Sequence, residues 1–470
     1  MDFISAFLFD RDKRVAYQED LLKKNKDKTL VTIRINYPGI EKSNYITDDI
    51  VNIIYNDILT YYGKFIVFED KYKNKEGIVA HFLFDLDFVN VKKEMINVEE
   101  EHILGRCLDI DVYAYKNDKV IGISRSDLFK KPRKCFICDL DAKLCSRAQT
   151  HTMEEIKNYF EVAYKEYKEM EKEIDSLSYE VSQEAFKAMI SEVSTFPSFG
   201  LVSPVSSGSH KDMDYYTFLN SAMTITPFLK EMFKIGYSYY LPEYIFDVIR
   251  NIGKECEEKM FEATNNINTH KGMIFLMGIC MSAIGKNMYY KNEFYEMQEI
   301  IKSMVKNILD DFKDLHKKEK LTHGEKLYLD YGFTGIRGQV QDGLAVLFDH
   351  IIYEYENSKL KENDLYIQIL IELMARVEDS TIVYRHDIDI LRKVQEDAKN
   401  LLSIGGVFTK EGRDKCHELE KDYIDLNISP GGCADLLAIS ILLINIMNKF
   451  YNDLNKKNIT MVNREKGSGA

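Results

Sequence analysis

Between His102 and His151 the chain carries side chains for two kinds of metal chemistry: a carboxylate pair, Asp109 and Asp111, and a thiol-imidazole set, Cys135, Cys138, Cys145 and His151. Side chains alternate along a strand, so CLDIDVYAY places Asp109 and Asp111 on one face and Leu108, Ile110 and Val112 on the other. Acids so placed suit Mg²⁺, which would bridge them to polyphosphate oxygens and stabilise a departing pyrophosphate. The bland reading is a solvated pair at a strand end, as for Asp85 and Asp87. Cys135-x2-Cys138-x6-Cys145-x5-His151 is either the donor set of a tetrahedral Zn²⁺ site or a small cluster of reduced thiols. From Arg125 to Arg147 seven basic residues stand against three acids, a local patch fit for phosphate or an acidic partner.

Three more polar clusters precede apolar, helix-like stretches. In Gly208-Ser209-His210-Lys211-Asp212-Met213-Asp214 helical spacing puts His210 and Asp214 on one face, with Ser209 and Asp212 close to a capping box. Asn268-Thr269-His270-Lys271-Gly272 offers free backbone N–H groups and a lysine to an anion. Ser429-Pro430-Gly431-Gly432-Cys433-Ala434-Asp435 has a cap, a proline in the first turn and two glycines that allow close approach of a ligand. Brought together, these segments would give amide donors, His210, Lys211, His270 and Lys271 to a polyphosphate. Asp212, Asp214 and Asp435 would then be available for metal binding or base catalysis.

These clusters need elements to hold them. A chain of 470 residues exceeds one ordinary core, so at least two domains are expected. Strands are expected at 29–37, 64–69, 78–84 and 107–115, with helices at 46–61 and 91–101. Beyond residue 152 the chain reads as almost wholly helical, ending in the all-round apolar ADLLAISILLINIMNKF of a buried helix. The expected architecture is α+β with a mixed sheet in residues 1–170, a helical linker over 171–180, and a larger all-α bundle over 181–456. Residues 457–470 read as a tail whose GSGA end resembles an appended linker. A net charge of −13 argues against nonspecific nucleic-acid binding. No run is expected to reach the ~20 apolar residues that span a bilayer, and MDFISAFLFDRDKR reads as a poor signal peptide. Eight cysteines in so long a chain do not suggest a disulfide framework, so reduced thiols and the cytoplasm are expected.

The order of motifs in the first part resembles a known family. Pro38-Gly39, Glu101-His102-x-Leu104-Gly105-Arg106-x2-Asp109-Ile110-Asp111-Val112, Ile123-Ser124-Arg125, Pro132-Arg133-Lys134-Cys135-x2-Cys138 and Cys145-x5-His151 resemble citrate lyase holo-acyl-carrier-protein synthase over about residues 5–165. The resemblance implies transfer of a phosphoribosyl-dephospho-CoA group to a serine of the apo citrate lyase acyl carrier (gamma) subunit, with release of pyrophosphate. Asp109 and Asp111 would hold Mg²⁺ while Arg106 and Arg125 steady the triphosphate.

The three helix-start clusters, with Gly335-Ile336-Arg337-Gly338 and Asp379-Ser380-Thr381 between them, resemble triphosphoribosyl-dephospho-CoA synthase over about residues 180–450. This second resemblance implies attack by the ribose 2′-hydroxyl of 3′-dephospho-CoA on the anomeric carbon of ATP's ribose, with loss of adenine. Its product is the substrate implied for the first domain. Asp214 is then expected to act as base with His210 orienting it. Asp212 and Asp435 would hold Mg²⁺, while Lys211, Asn268, His270, Lys271, Arg337, Ser429, Gly431 and Gly432 would bind substrate. The chain departs from that family at Ser198-Phe199-Gly200, Val202-Ser203, Asn265-Asn266 and Gln339, where the family usually has Lys-Pro-Gly, Val-Asp, two glycines and Glu. An alternative reading keeps the ribosyltransferase but makes the first domain a noncatalytic zinc module that docks the carrier protein.

Overall fold

The computed structural model describes residues 3–313, 315–318, 321–355 and 358–451; the expected tail lies outside them. The chain divides into two compact units, one ending at Glu173 and the other beginning at Ile174.

The first unit runs α1 (Phe3–Lys24), β1 (Thr29–Ile35), α2 (Tyr45–Tyr62), β2 (Ile66–Asn74), β3 (Gly77–Phe84), α3 (Phe88–Glu101), β4 (Leu108–Lys116), β5 (Lys119–Gly122) and α4 (Ala142–Ala148). It ends in the first part of α5 (Met153–Ser194), one helix that continues through residues 171–180 into the second unit. The strands form one sheet in the order β2-β3-β1-β4-β5, and every pairing is antiparallel. The α+β class therefore holds while the mixed sheet does not: each neighbouring pair satisfies its ladder antiparallel, with no parallel crossover. Val31, Ile33, Ala80, Phe82, Ile110 and Val112 are buried, and α2 packs on β1 and β3 while α3 packs on β4. Burial of each such large side chain contributes about 1.5–3 kcal/mol, and that apolar layer fixes which residues of β1 and β4 must take the opposite face. Helix α1, which the strand pattern did not announce, packs against β1 and β4, with Gln18 donating to Thr32 at 2.6 Å.

The second unit is helical. After α5 come α6 (Tyr215–Gly236), α7 (Pro242–Ala263), α8 (Lys271–Tyr290), α9 (Met297–Met304), α10 (His323–Tyr331) and α11 (Gly335–Gln341). They are followed by α12 (Tyr353–Tyr355), α13 (Glu362–Arg376), α14 (Ser380–Arg385), α15 (Ile388–Ser403), α16 (Lys410–Asp425) and α17 (Gly431–Ile446). Helices α8 and α17 are its apolar centre, packed on each other and on α6 and α13 respectively. One sequence expectation fails here: Gly431–Tyr451 is long and apolar enough by composition to cross a membrane, with mean hydropathy 1.6, but 72% of that window is buried inside the protein. An all-round apolar helix is what the centre of a large bundle requires.

Candidate functional site

Strand β4 buries Leu108, Ile110 and Val112 and leaves Asp109, Asp111 and Tyr113 half-buried on the other face. Antiparallel register sets Arg34 opposite Asp109 and Thr32 opposite Asp111. Arg34 Nη2 donates to Asp109 Oδ2 at 2.6 Å and to Asp111 Oδ2 at 2.9 Å. Behind it, buried Glu76 lies 3.6 Å from Arg34 Nη1 and accepts from Arg14 at 2.8 and 3.1 Å. Burial and then the neighbouring Asp111 charge raise the Asp109 carboxyl above the ordinary range, against the pull of Arg34. Two half-exposed carboxylates, each with a second oxygen not engaged by Arg34, fit a hard divalent cation such as Mg²⁺.

The arginines expected beside these acids are placed otherwise. Arg125 bonds Glu99 at 2.7 Å and Glu100 at 2.5 Å, and Arg106 donates to the Lys134 carbonyl and lies over the Phe136 ring. Arg133 comes nearest among this group, with Nη1 at 3.8 Å from Asp109 Oδ1 while its other nitrogen bonds Glu99. Arg34 and Glu99 were not singled out in the sequence, and Arg133 only within the basic patch and the Pro132-Arg133-Lys134 motif, since their placement depends on strand register and on a loop that folds back.

That loop carries the thiols. A bridge pairs Lys134 with Asp141, and Cys135 N donates to Leu140 O at 2.7 Å, so Cys135 and Cys138 share one tight hairpin. Asp141 caps α4 through the Lys143 and Leu144 amides, which sets Cys145 one turn in. The ligand atoms of Cys135, Cys138, Cys145 and His151 all lie within 4.8 Å of one another, the only such group of three or more candidate ligands among the described residues. Cys138 Sγ is 3.8 Å from Cys145 Sγ, the edge of a tetrahedron whose Zn–S bonds are about 2.3 Å. His151 Nε2 is buried without a hydrogen-bond partner. Both observations fit zinc.

In the second unit a cavity of 320 Å³ is bounded by the end of α5, the loop before α6, and the starts of α8, α11, α14 and α17. It brings together His210, Asn268, His270, Lys271, Arg337, Ser429, Gly431, Gly432 and Asp435. His270 precedes α8 and is 1% exposed; its Nδ1 meets Ser221 Oγ at 2.6 Å while Nε2 has no partner. Burial draws this imidazole down to about 4. His210 Nε2 is 2.9 Å from Ser429 Oγ, and burial with the adjacent Arg385 guanidinium likewise draws it to about 4. Arg385 also donates to the Ser209 carbonyl at 2.7 Å, pinning the loop.

Asp435 sits deep in this cavity over Gly272, where any Cβ would overlap its carboxylate. Burial, then the nearby Asp379 charge, holds its carboxyl well above the usual range; Glu192, from the end of α5, is raised by burial and by Asp435. Buried Asp379 accepts from the amides of Thr381 at 2.8 Å, Ile382 at 3.3 Å and Cys433 at 2.9 Å, tying the starts of α14 and α17 together. Glu192 and Arg385 were not expected as part of the site, and Asp379 was noted only within the Asp379-Ser380-Thr381 motif, with no role assigned. Glu192 in particular lies in a charged helical run where spacing alone does not single it out.

Three expected residues fall outside the cavity. Lys211, Asp212 and Asp214 are exposed and do not line it. Helix α6 begins at Tyr215 with Asp214 as its N-cap, in a capping box with Thr217. His210 and Asp214 therefore share no helical face, and Ser209 caps nothing: its hydroxyl donates to the Ile428 carbonyl at 2.6 Å. Asp214 accepts from the Thr217 amide at 2.9 Å, which lowers its pKa, the opposite of what a base near neutrality requires. With Asp212 outside, an Asp212–Asp435 pair does not fit a shared Mg²⁺ ion.

Comparison with known proteins agrees with this two-part layout. Residues 3–167 match the family described as apo-citrate lyase phosphoribosyl-dephospho-CoA transferase, and residues 178–453 match ATP:dephospho-CoA triphosphoribosyl transferase. A relative named Protein CitXG, from Leuconostoc mesenteroides subsp. cremoris, is 30% identical over 94% of this chain and 96% of its own length. A protein of the same name from Haemophilus influenzae is 27% identical over 94% of this chain and 96% of its own. A probable 2-(5''-triphosphoribosyl)-3'-dephosphocoenzyme-A synthase from Malonomonas rubra is 35% identical over 60% of this chain and 92% of its own. With one match to each unit and a relative aligned along nearly its whole length, the chain belongs to the bifunctional family that joins an apo-citrate lyase phosphoribosyl-dephospho-CoA transferase to an ATP:dephospho-CoA triphosphoribosyl transferase.

Proposed function

We propose that the family's two reactions are carried by two separate residue sets, one in each unit. In the second unit ATP and 3′-dephospho-CoA give 2′-(5″-triphosphoribosyl)-3′-dephospho-CoA and adenine. In the first, the phosphoribosyl-dephospho-CoA group passes to a serine of the apo citrate lyase acyl carrier protein with release of pyrophosphate.

The observation that carries the first reaction is the Asp435–Glu192 pair beside two neutral histidines, at the converging starts of α8 and α17. Displacement of adenine needs the acceptor hydroxyl held in line and its proton removed as the new bond forms. Asp435 takes this base role in place of Asp214: it lines the cavity, enclosure raises its pKa well above the ordinary carboxylate range, and Glu192 beside it can retain a proton so that both do not ionise together. His270 Nε2, the unpartnered polar atom, orients the ribose or the polyphosphate, and His210 with Ser429 holds the opposite wall. Lys271 and Arg337 supply positive charge at the rim.

In the first unit Asp109 and Asp111 would hold Mg²⁺, which when bound stabilises the charge of the departing pyrophosphate. Arg34 holds the two acids in register, and Arg133 presents a cation to the same side. Arg125 acts through Glu99 to position Arg133. Zinc on Cys135, Cys138, Cys145 and His151 would be structural, since four protein ligands leave no open position. Eight free thiols support a cytoplasmic setting.

Two variants test the division. Asp435→Asn should cut adenine release about 10²-fold or more while leaving pyrophosphate release from supplied triphosphoribosyl-dephospho-CoA intact. Asp111→Asn should do the reverse. Loss of both activities in either variant contradicts separate sites, and an Asp111→Asn protein that still modifies the carrier would make the first unit's acids noncatalytic.

A further inference from the structure

A larger cleft of 1180 Å³ adjoins the cavity that holds Asp435, and the two share Asn268, Lys271, Gly324 and Arg337 as a common wall. The chemistry argued above leaves it unused. Its floor is apolar, built from Met232 of α6, Phe246, Ile249 and Phe261 of α7, and Phe275 and Ile279 of α8. Its rim is cationic: Arg250, Lys254, Lys271, Lys318, Lys326 and Arg337 stand against Glu257 and Asp311. Asp311 is already held by Arg250 at 2.9 Å and Arg337 at 3.2 Å, Glu257 by Lys271 at 2.9 Å, and Lys318 is itself paired with Glu325 at 2.5 Å. Lys254 and Lys326 have no ion-pair partner among the described residues. In a chain of net charge −13 this is a built concentration of positive charge around an apolar floor.

We propose that this cleft binds the diphosphate-linked arm of the acceptor, 3′-dephospho-CoA, and that the acceptor ribose sits at the shared wall, with ATP in the cavity beyond. The proposal deepens the reading of Asp435 as base and rests on it. A cavity of 320 Å³ is too small for two nucleotides, and the acceptor hydroxyl must approach ATP's ribose from outside ATP's own space. A ligand with a long, weakly polar arm joined to two phosphates matches both parts of the cleft. The arm covers the aromatic and aliphatic floor, and the diphosphate meets the lysines left free at the rim. A triphosphate alone would answer the rim and leave the floor open to water.

Gly253 supplies a clean test. It faces the cleft from within α7, and a Cβ there would meet only Met232 Cε at 3.8 Å, an ordinary contact. Replacing a helical glycine favours the helix, so Gly253→Phe should fill the cleft without unfolding the chain. The paired variant Lys254→Ala/Lys326→Ala removes charge and leaves the floor. Adenine release by the full-length protein is measured while ATP and dephospho-CoA are varied in turn, with titration calorimetry of dephospho-CoA alone alongside.

Both variants should raise the KM and Kd for dephospho-CoA about tenfold or more, roughly 1.4 kcal/mol per tenfold, with the KM for ATP nearly unchanged. A raised KM for ATP with dephospho-CoA unaffected would place the polyphosphate of ATP here instead and overturn the proposal, as would unchanged dephospho-CoA binding in both variants. Should Gly253→Phe fail to fold, the lysine pair decides alone. An Asp435→Asn protein that still releases adenine at the wild-type rate rejects the base assignment, whereas the calorimetric comparison still decides the cleft.

Discussion

His270 has one ring nitrogen on Ser221 and the other buried and unsatisfied. An orphaned donor or acceptor in a protein interior is costly, so its retention beside Asp435 argues for a polar group supplied by substrate. The same burial has a consequence for stability. Folded, the imidazole holds its proton only below about 4; unfolded, it takes one up near the ordinary 6.5. Above pH 6.5 both states are neutral and nothing is lost. Between 6.5 and 4 the unfolded chain binds the extra proton, so stability falls as pH falls, by on the order of 2 kcal/mol at pH 5 for this one residue. His81, also drawn to about 4 by burial, and His210 act in the same direction. Thermal unfolding should therefore show a lower Tm at pH 5 than at pH 7.5, and His270→Gln should flatten that difference. Equal pH dependence in variant and wild type would reject the neutral, buried assignment.

At the scale of elements, the segment from Pro132 to His151 stands out because it has almost no core of its own. Cys145 is its only buried residue, while Leu140 and Leu144 are exposed. A short loop with so little apolar burial would be fixed by a metal held on Cys135, Cys138, Cys145 and His151, as proposed. Through Arg133 this loop also reaches Asp109, and through the Lys134 carbonyl it holds Arg106. A chelator should therefore remove one zinc per chain, increase amide exchange across 132–151, and weaken carrier modification while adenine release persists. Adenine release lost in parallel would mean that the metal supports the whole fold rather than the loop. Helix starts tell the opposite story in the second unit: α8 and α17 need no ion to meet, since Gly272 and Gly432 let them close on the carboxylates of Asp435 and Asp379. Gly272 in particular could carry no side chain without displacing Asp435.

The whole molecule places consecutive reactions on one chain, which sets an upper bound on how far the intermediate must travel between sites. If the two residue sets work independently, a mixture of Asp435→Asn and Asp111→Asn proteins should convert ATP, dephospho-CoA and apo-carrier to holo-carrier, because each supplies the step the other lacks. Its lag before carrier modification should lengthen on dilution more than that of the wild type. A mixture with no carrier modification would show that the intermediate does not leave the chain that makes it.

Local pattern was enough for much of this. Alternation along CLDIDVYAY put Asp109 and Asp111 on the polar face of β4, and the strands at β1 and β3 and the helices at α2 and α3 lay close to their expected spans, because period and burial are local properties. The Cys135, Cys138, Cys145 and His151 set was likewise legible, since its ligands lie within a short stretch. Strand β5 and helix α1 were not anticipated, for their apolar faces are incomplete: α1 buries only Arg14, Gln18, Leu21 and Leu22. What tertiary structure alone decided is which charged residues meet. Antiparallel register chose Arg34 as the partner of both acids, and a non-helical turn after His210 sent Asp214 to cap α6. Closure of one cavity brought Glu192, near the end of α5, to Asp435 from 243 positions earlier in the chain. Charge partners so distant in sequence are set by the closing of the core, and no local period encodes them.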